Sequence, residues 1–83
     1  MTAAINETEP DVLDLRGLKC PLPALFARRA LARAAEGTSI MVVADDPLAA
    51  VDIPHMCHEE GFEVVGLEQS GSDSRITIRR PNR

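Results

Sequence analysis

The chain has 83 residues, a formal net charge of −4 at pH 7 and two aromatic residues, Phe26 and Phe62. That length makes one domain with a small core, because chains of this size bury only about 60% of their unfolded surface. The acidic balance and scarce aromatics exclude a nucleic-acid binder that works by phosphate neutralisation or base stacking. No apolar run is long enough to cross a bilayer, and the segment Met1–Glu7 has no signal-peptide pattern. A cytoplasmic protein is the expectation, in a compartment that keeps thiols reduced. Two cysteines are too few for a disulfide scaffold.

Residues 1–10 are polar and acidic without periodicity, so they read as a flexible N-terminal tail before a single domain over 11–81. Val12-Leu13-Asp14-Leu15 reads as a short strand, ended by Gly17. Pro21 and Pro23 follow Cys20 closely, ahead of an Ala/Leu-rich run. Proline costs about 3 kcal/mol inside a helix but little in its first turn, where the N–H groups have no intrahelical partner. The spacing therefore predicts a helix with Cys20 at the N-cap and Pro21 at the first helical position, running to about Glu36 with Gly37 as terminator. Ala24, Ala27, Leu31 and Ala34 share a small-residue face suited to a sheet. On another face Leu22, Leu25 and Phe26 grade into Arg29 and Arg33, a pattern that fits a docking surface or an ordinary solvated face.

Thr38–Ala44 is a nearly continuous apolar run and reads as a buried strand. Asp45-Asp46-Pro47 then opens a second helix, with Asp46 as N-cap and Pro47 at its first position. Pro54 would break that helix's bond to Ala50, so the helix either kinks at Asp52-Ile53-Pro54 or starts afresh with Asp52 as cap. Gly61 ends it. Phe62–Gln69 reads as a strand, Ser70–Asp73 as a turn, and Ser74–Arg80 as a strand alternating Ile76 and Ile78 with Arg75, Thr77 and Arg79, stopped by Pro81. The order is βαβαββ. Its natural packing is an α/β (α+β) two-layer sandwich: a four-stranded mixed sheet with both helices on one face.

Cys20 is the residue on which chemistry centres. Ser, Thr, Asp and Asn cap helices better than cysteine, so capping alone does not explain it. A helix N-terminus acts like roughly half a positive charge, and a free thiol near about 8.5 is pulled down by such a field or by adjacent cations. Lys19 and Arg16 lie in the same loop. Cys20 is therefore expected to be a reactive thiol that ionises more readily than a free cysteine, against the plainer reading of a buried cysteine preceding a helix. His55, Cys57 and His58 are close in sequence, but a zinc site needs three or four N/S ligands, and Cys57 is spaced to point toward the core. No metal is assigned. Asp45 and Asp46 are explained by capping more simply than as a carboxylate pair.

Leu13-Asp14-Leu15-Arg16-Gly17-Leu18-Lys19-Cys20-Pro21-Leu22-Pro23 resembles the Cys-Pro-X-Pro signature of the TusA/SirA-type sulfur carriers. Asp45-Asp46-Pro47 with Asp52-Ile53-Pro54 resembles the family's second landmark, and Ile76–Arg80 its last strand, so the likeness spans roughly Val12 to Pro81. The resemblance implies a sandwich like the C-terminal domain of bacterial translation initiation factor three. It implies that Cys20 carries sulfur as a persulfide, with Arg16, Lys19, Pro21 and Pro23 supporting it and no cofactor beyond that covalent sulfur. It also implies a cysteine desulfurase or rhodanese-like donor and a sulfur-acceptor relay protein, serving tRNA thiolation or another sulfur-trafficking route, without direct nucleic-acid or membrane contact. Leu22 stands where some relatives carry an acidic residue, which bears on the choice of partner. Two other classes stay open at this point: a regulatory or adaptor module docking through Leu22, Leu25 and Phe26, and a thiol redox sensor pairing Cys20 with Cys57.

Overall fold

The computed structural model describes residues 11–82, so the expected tail over 1–10 lies outside the described residues. Six elements follow one another: β1 (Asp11–Asp14), α1 (Leu22–Arg33), β2 (Ser39–Ala44), α2 (Ala49–Glu60), β3 (Glu63–Ser70) and β4 (Asp73–Arg79). The strands form one sheet in the order β1-β2-β4-β3. β1 runs parallel to β2, while β4 pairs antiparallel with both β2 and β3. This is the expected βαβαββ sandwich with a mixed four-stranded sheet.

Alternation along the two central strands decides which face is covered. Ile40, Val42 and Ala44 of β2 and Ile76 and Ile78 of β4 point to one side. There they meet Ala27 and Leu31 of α1 and Ala49, Ile53, Met56 and Cys57 of α2, all buried in a single cluster. Ala24 and Ala34 pack at its margin, as the small-residue face predicts. Phe26 departs from the expected outer face: it packs partly against the core, with the Arg29 guanidinium 5.8 Å from its ring centroid. Among the described residues no helix is long and apolar enough to cross a membrane.

The helix ends differ from expectation in informative ways. α1 stops at Arg33 rather than near Glu36, because Ala34 turns extended (φ −85°, ψ 160°). The carbonyls left without intrahelical partners are taken by Arg80, whose Nη1 donates to the oxygens of Ala32 at 2.9 Å and Ala34 at 2.7 Å. A cation at a helix C-terminus also suits the dipole. Gly37, at φ +86°, then swings the chain into the sheet. α2 begins at Ala49, after Leu48, rather than at Pro47, and it continues through Pro54 without a restart at Asp52. Asp46 still acts at this end: its Oδ1 accepts the Leu48 N–H at 3.1 Å. Gly61, left-handed at φ 78°, closes α2.

β3 forms an edge of the sheet, and every one of its residues is exposed. A bulge between Val64 and Gly66 leaves Val65 without a partner in β4. Leu31→Ala, at 0% exposure in the central cluster, is expected to cost about 2–5 kcal/mol through lost transfer energy and a residual cavity. Val65→Ala, in the bulge, should stay within about 0.5 kcal/mol. Urea denaturation of both variants checks the contrast.

Candidate functional site

Parallel neighbours end on the same side of a sheet, so the loops after β1 and β2 are brought together. The first holds Arg16 to Pro21; the second holds Asp45 to Leu48. Leu15 N–H donates to the Val43 carbonyl at 2.7 Å and extends the β1–β2 ladder by one residue. Beyond it the joins are carboxylates. Asp45 Oδ1 accepts the Gly17 N–H at 2.9 Å, and Asp46 Oδ2 accepts the Cys20 N–H at 2.5 Å. Asp46 thereby holds the cysteine loop with one oxygen and the start of α2 with the other. These aspartates pin backbone, but not as the expected helix caps: Leu48 is the N-cap of α2 with no side-chain cap bond, and Asp45 holds the loop at Gly17 instead.

Cys20 lies one residue further from α1 than the proline spacing predicts. Pro21 itself is the N-cap, and its carbonyl accepts the Leu25 N–H at 3.2 Å. The Cys20–Pro21 peptide is cis, and Leu22 N–H returns to the Lys19 carbonyl at 2.8 Å, closing a turn over Lys19–Leu22. Cys20 is exposed, and its thiol donates to Asp52 Oδ2 at 2.9 Å. Asp52 stands in the first turn of α2.

That neighbourhood overturns the expectation that the thiol ionises readily. The hydrogen bond to Asp52, desolvation, and the charges of Asp52 and Asp46 all push the Cys20 thiol above its ordinary value. Negative charge on the sulfur would face two carboxylates. Of the expected cations, Arg16 is paired elsewhere. Arg16 forms a two-pronged pair with Asp14, Nε to Oδ1 at 3.0 Å and Nη2 to Oδ2 at 2.9 Å, and lies 3.6 Å from Asp73. It holds the Asp14 carboxyl down to about 2. Lys19 acts on Asp46, whose carboxyl is held low first by the Cys20 and Leu48 N–H bonds and then by that charge.

The second cysteine is inert by position. Cys57 is 1% exposed on the inner side of α2, and burial pushes its thiol up to about 11. His55 and His58 are exposed, with His55 Nε2 3.9 Å from Glu59. Among the described residues no group of three His, Cys, Asp or Glu side chains could hold a metal ion.

Of the expected docking residues, Leu22 is 38% exposed and Arg29 and Arg33 are exposed, whereas Leu25 and Phe26 are half-buried. Two apolar residues escaped notice in the sequence. Leu48 is 53% exposed and Val51 64% exposed, both on the turn that carries Asp52. Asp52 was legible only as a helix cap; its role at the sulfur depends on the loop that crosses to it.

A family model described as "Sulfurtransferase TusA" matches residues 11–80, which contain every element described above. The chain belongs to that family. A SirA-like protein from Desulfitobacterium hafniense has a crystal structure similar to this one, with a TM-score of 0.73 and 25% sequence identity. The match covers 86% of this chain and 97% of that one. Fold and family agree with the resemblance read from Cys20-Pro21-Leu22-Pro23, from Asp45-Asp46-Pro47 with Asp52-Ile53-Pro54, and from the last strand.

The two thiols should separate cleanly under alkylation. Iodoacetamide followed by intact mass and peptide mapping is expected to give one adduct, on Cys20, with Cys57 reacting only after unfolding. Since the folded environment raises the Cys20 thiol, its rate at neutral pH should lie below that of a peptide spanning Gly17–Leu25. The rate should go on climbing at pH values where the peptide has levelled off.

Proposed function

We propose that Cys20 is the sulfur-bearing residue of this sulfurtransferase, and that the protein works as a carrier rather than as a self-contained enzyme. The Cys20 sulfur attacks the outer sulfur of a donor persulfide, by the displacement logic of thiol–disulfide exchange, and an acceptor thiol later removes it. The supporting observation is the contrast between the two cysteines: the one within the Cys-Pro-X-Pro turn is exposed, and the other is walled into the core. The donor is a cysteine desulfurase or rhodanese-like protein, and the acceptor a relay protein leading to tRNA thiolation or another sulfur-trafficking route in the cytoplasm. The resting thiol being protonated moves the burden of activation to the moment of contact with the donor. It also weighs against a peroxide sensor, because the thiolate is the form that oxidises.

Partner proteins are proposed to seat on exposed apolar residues of the neighbouring segments, Leu22 at the start of α1 and Leu48 and Val51 at the start of α2, with Arg29 and Arg33 at the rim. Leu25 and Phe26 lie partly beneath and shape that surface more than they contact it.

Cys20→Ser should lose all labelling by a cysteine desulfurase charged with radiolabelled cysteine, while Cys57→Ser keeps it. Undiminished labelling of Cys20→Ser would defeat the carrier reading. Charge reversal at Arg29 and Arg33 together should weaken binding of donor or acceptor several-fold by calorimetry while leaving the circular dichroism spectrum unchanged. Unaltered affinity would make those arginines ordinary surface.

A further inference from the structure

Two charged groups bear on the Cys20 sulfur from the elements around it: Asp52 from α2 and Asp46 from the loop after β2. Asp46 already has both oxygens engaged, one by the Cys20 N–H and one by the Leu48 N–H. Lys19 acts on Asp46. Among the described residues Asp52 alone meets the sulfur itself, with Oδ2 at 2.9 Å from Sγ. A favourable helix dipole explains why a carboxylate stands in the first turn of α2. It does not explain why that carboxylate's oxygen lies against a thiol that reaches it from a separate loop.

Resting on the carrier reading of Cys20, we propose that Asp52 is a catalytic residue of the sulfur step: its Oδ2 holds the thiol's hydrogen at rest and accepts that proton when Cys20 attacks. The distance is within the reach required of a general base. In the free protein the proton stays on sulfur, because the hydrogen bond to Asp52, desolvation and the nearby carboxylate charges all disfavour the thiolate. When a donor's sulfur comes up to Cys20 it displaces water, and releasing a proton to bulk becomes costly. Transfer from Sγ to Oδ2 leaves the charge of the pair unchanged, so it is the less costly route to a nucleophile there.

The step balances without an outside oxidant. The Cys20 S–H bond breaks and its proton passes to Asp52. The freed pair on Sγ forms a new S–S bond to the outer sulfur of the donor persulfide, which keeps its own hydrogen. The donor's S–S bond breaks, and its electron pair leaves on the inner sulfur as a thiolate, which takes the proton from Asp52. One sulfane sulfur has moved, and donor thiol and Cys20 persulfide remain. Delivery runs the same sequence in reverse with an acceptor thiol in the donor's place.

The test sets two reactions of Cys20 against each other in full-length wild type, Asp52→Asn, Asp52→Ala and Glu59→Gln. Glu59 is an exposed carboxylate of the same helix and serves as the control. Alkylation by iodoacetamide reports how readily the sulfur ionises; loading by glutathione persulfide, followed by intact mass, reports sulfur acceptance. Losing the carboxylate should speed alkylation at neutral pH by up to about tenfold, because the thiol is no longer held protonated. General-base assistance is worth about 10²–10⁴-fold, so loading should instead slow by roughly tenfold or more. Glu59→Gln should leave both rates unchanged. Loading as fast as wild type, or faster, in both Asp52 variants overturns the proposal, since the carboxylate would then only restrain the thiol. Failure of wild type to load, or loading of Cys20→Ser, overturns the carrier reading itself and is told apart by the unmutated Asp52.

Discussion

The bridge made by Asp46 sets everything else at this site. One oxygen holds the Cys20 amide and the other the Leu48 amide, so a single buried carboxylate, 8% exposed, joins the cysteine loop to the start of α2. Hydrogen bonds to an ionised acceptor are among the stronger ones. The bridge exists only because β1 and β2 are adjacent and parallel, which delivers both loops to one edge of the sandwich. With it goes the placement of the thiol beside Asp52, in the first turn of α2, where Leu48 and Val51 are exposed.

A carrier has two requirements that pull apart. Its sulfur must react with the partner's sulfur and must resist the many small electrophiles it meets between encounters. A cysteine activated by a helix dipole and free cations would satisfy the first at the expense of the second. Here the sulfur faces carboxylates, Arg16 of its loop is paired with Asp14, and the charge of Lys19 acts on Asp46. The resting thiol is therefore quiet. On the proposed carrier reading, reactivity would be deferred to the docked state, where a second sulfur and the exclusion of water alter the electrostatics.

The far edge of the sheet has a different character. β3 is exposed along its whole length, carries Val64, Val65 and Leu67 on an open strand, and is interrupted by a bulge. Bulges and charges on an edge strand discourage pairing with another chain; Glu63, Glu68 and the Glu63–Arg79 ion pair at 2.8 Å serve alongside the bulge. The buried centre of the domain is β2 and β4 with the two helices, and Arg80 ties the end of β4 to the end of α1.

Local chemistry determined a good deal on its own. Alternation over Ile76 and Ile78, the apolar run over Ile40–Val43, the glycine stops at Gly37 and Gly61, and proline crowding after Cys20 placed six elements to within a few residues. They do so because hydrophobic period and backbone permissiveness are properties of neighbouring residues. The inward-facing Cys57 was legible for the same reason. Tertiary structure alone decided the state of the Cys20 sulfur. Lys19 and Arg16 are its neighbours along the chain, yet Asp46 and Asp52, 26 and 32 positions away, are its neighbours in space. Charges act through distance and not through sequence separation, so the sign of their effect on the thiol was set only when two loops folded against each other.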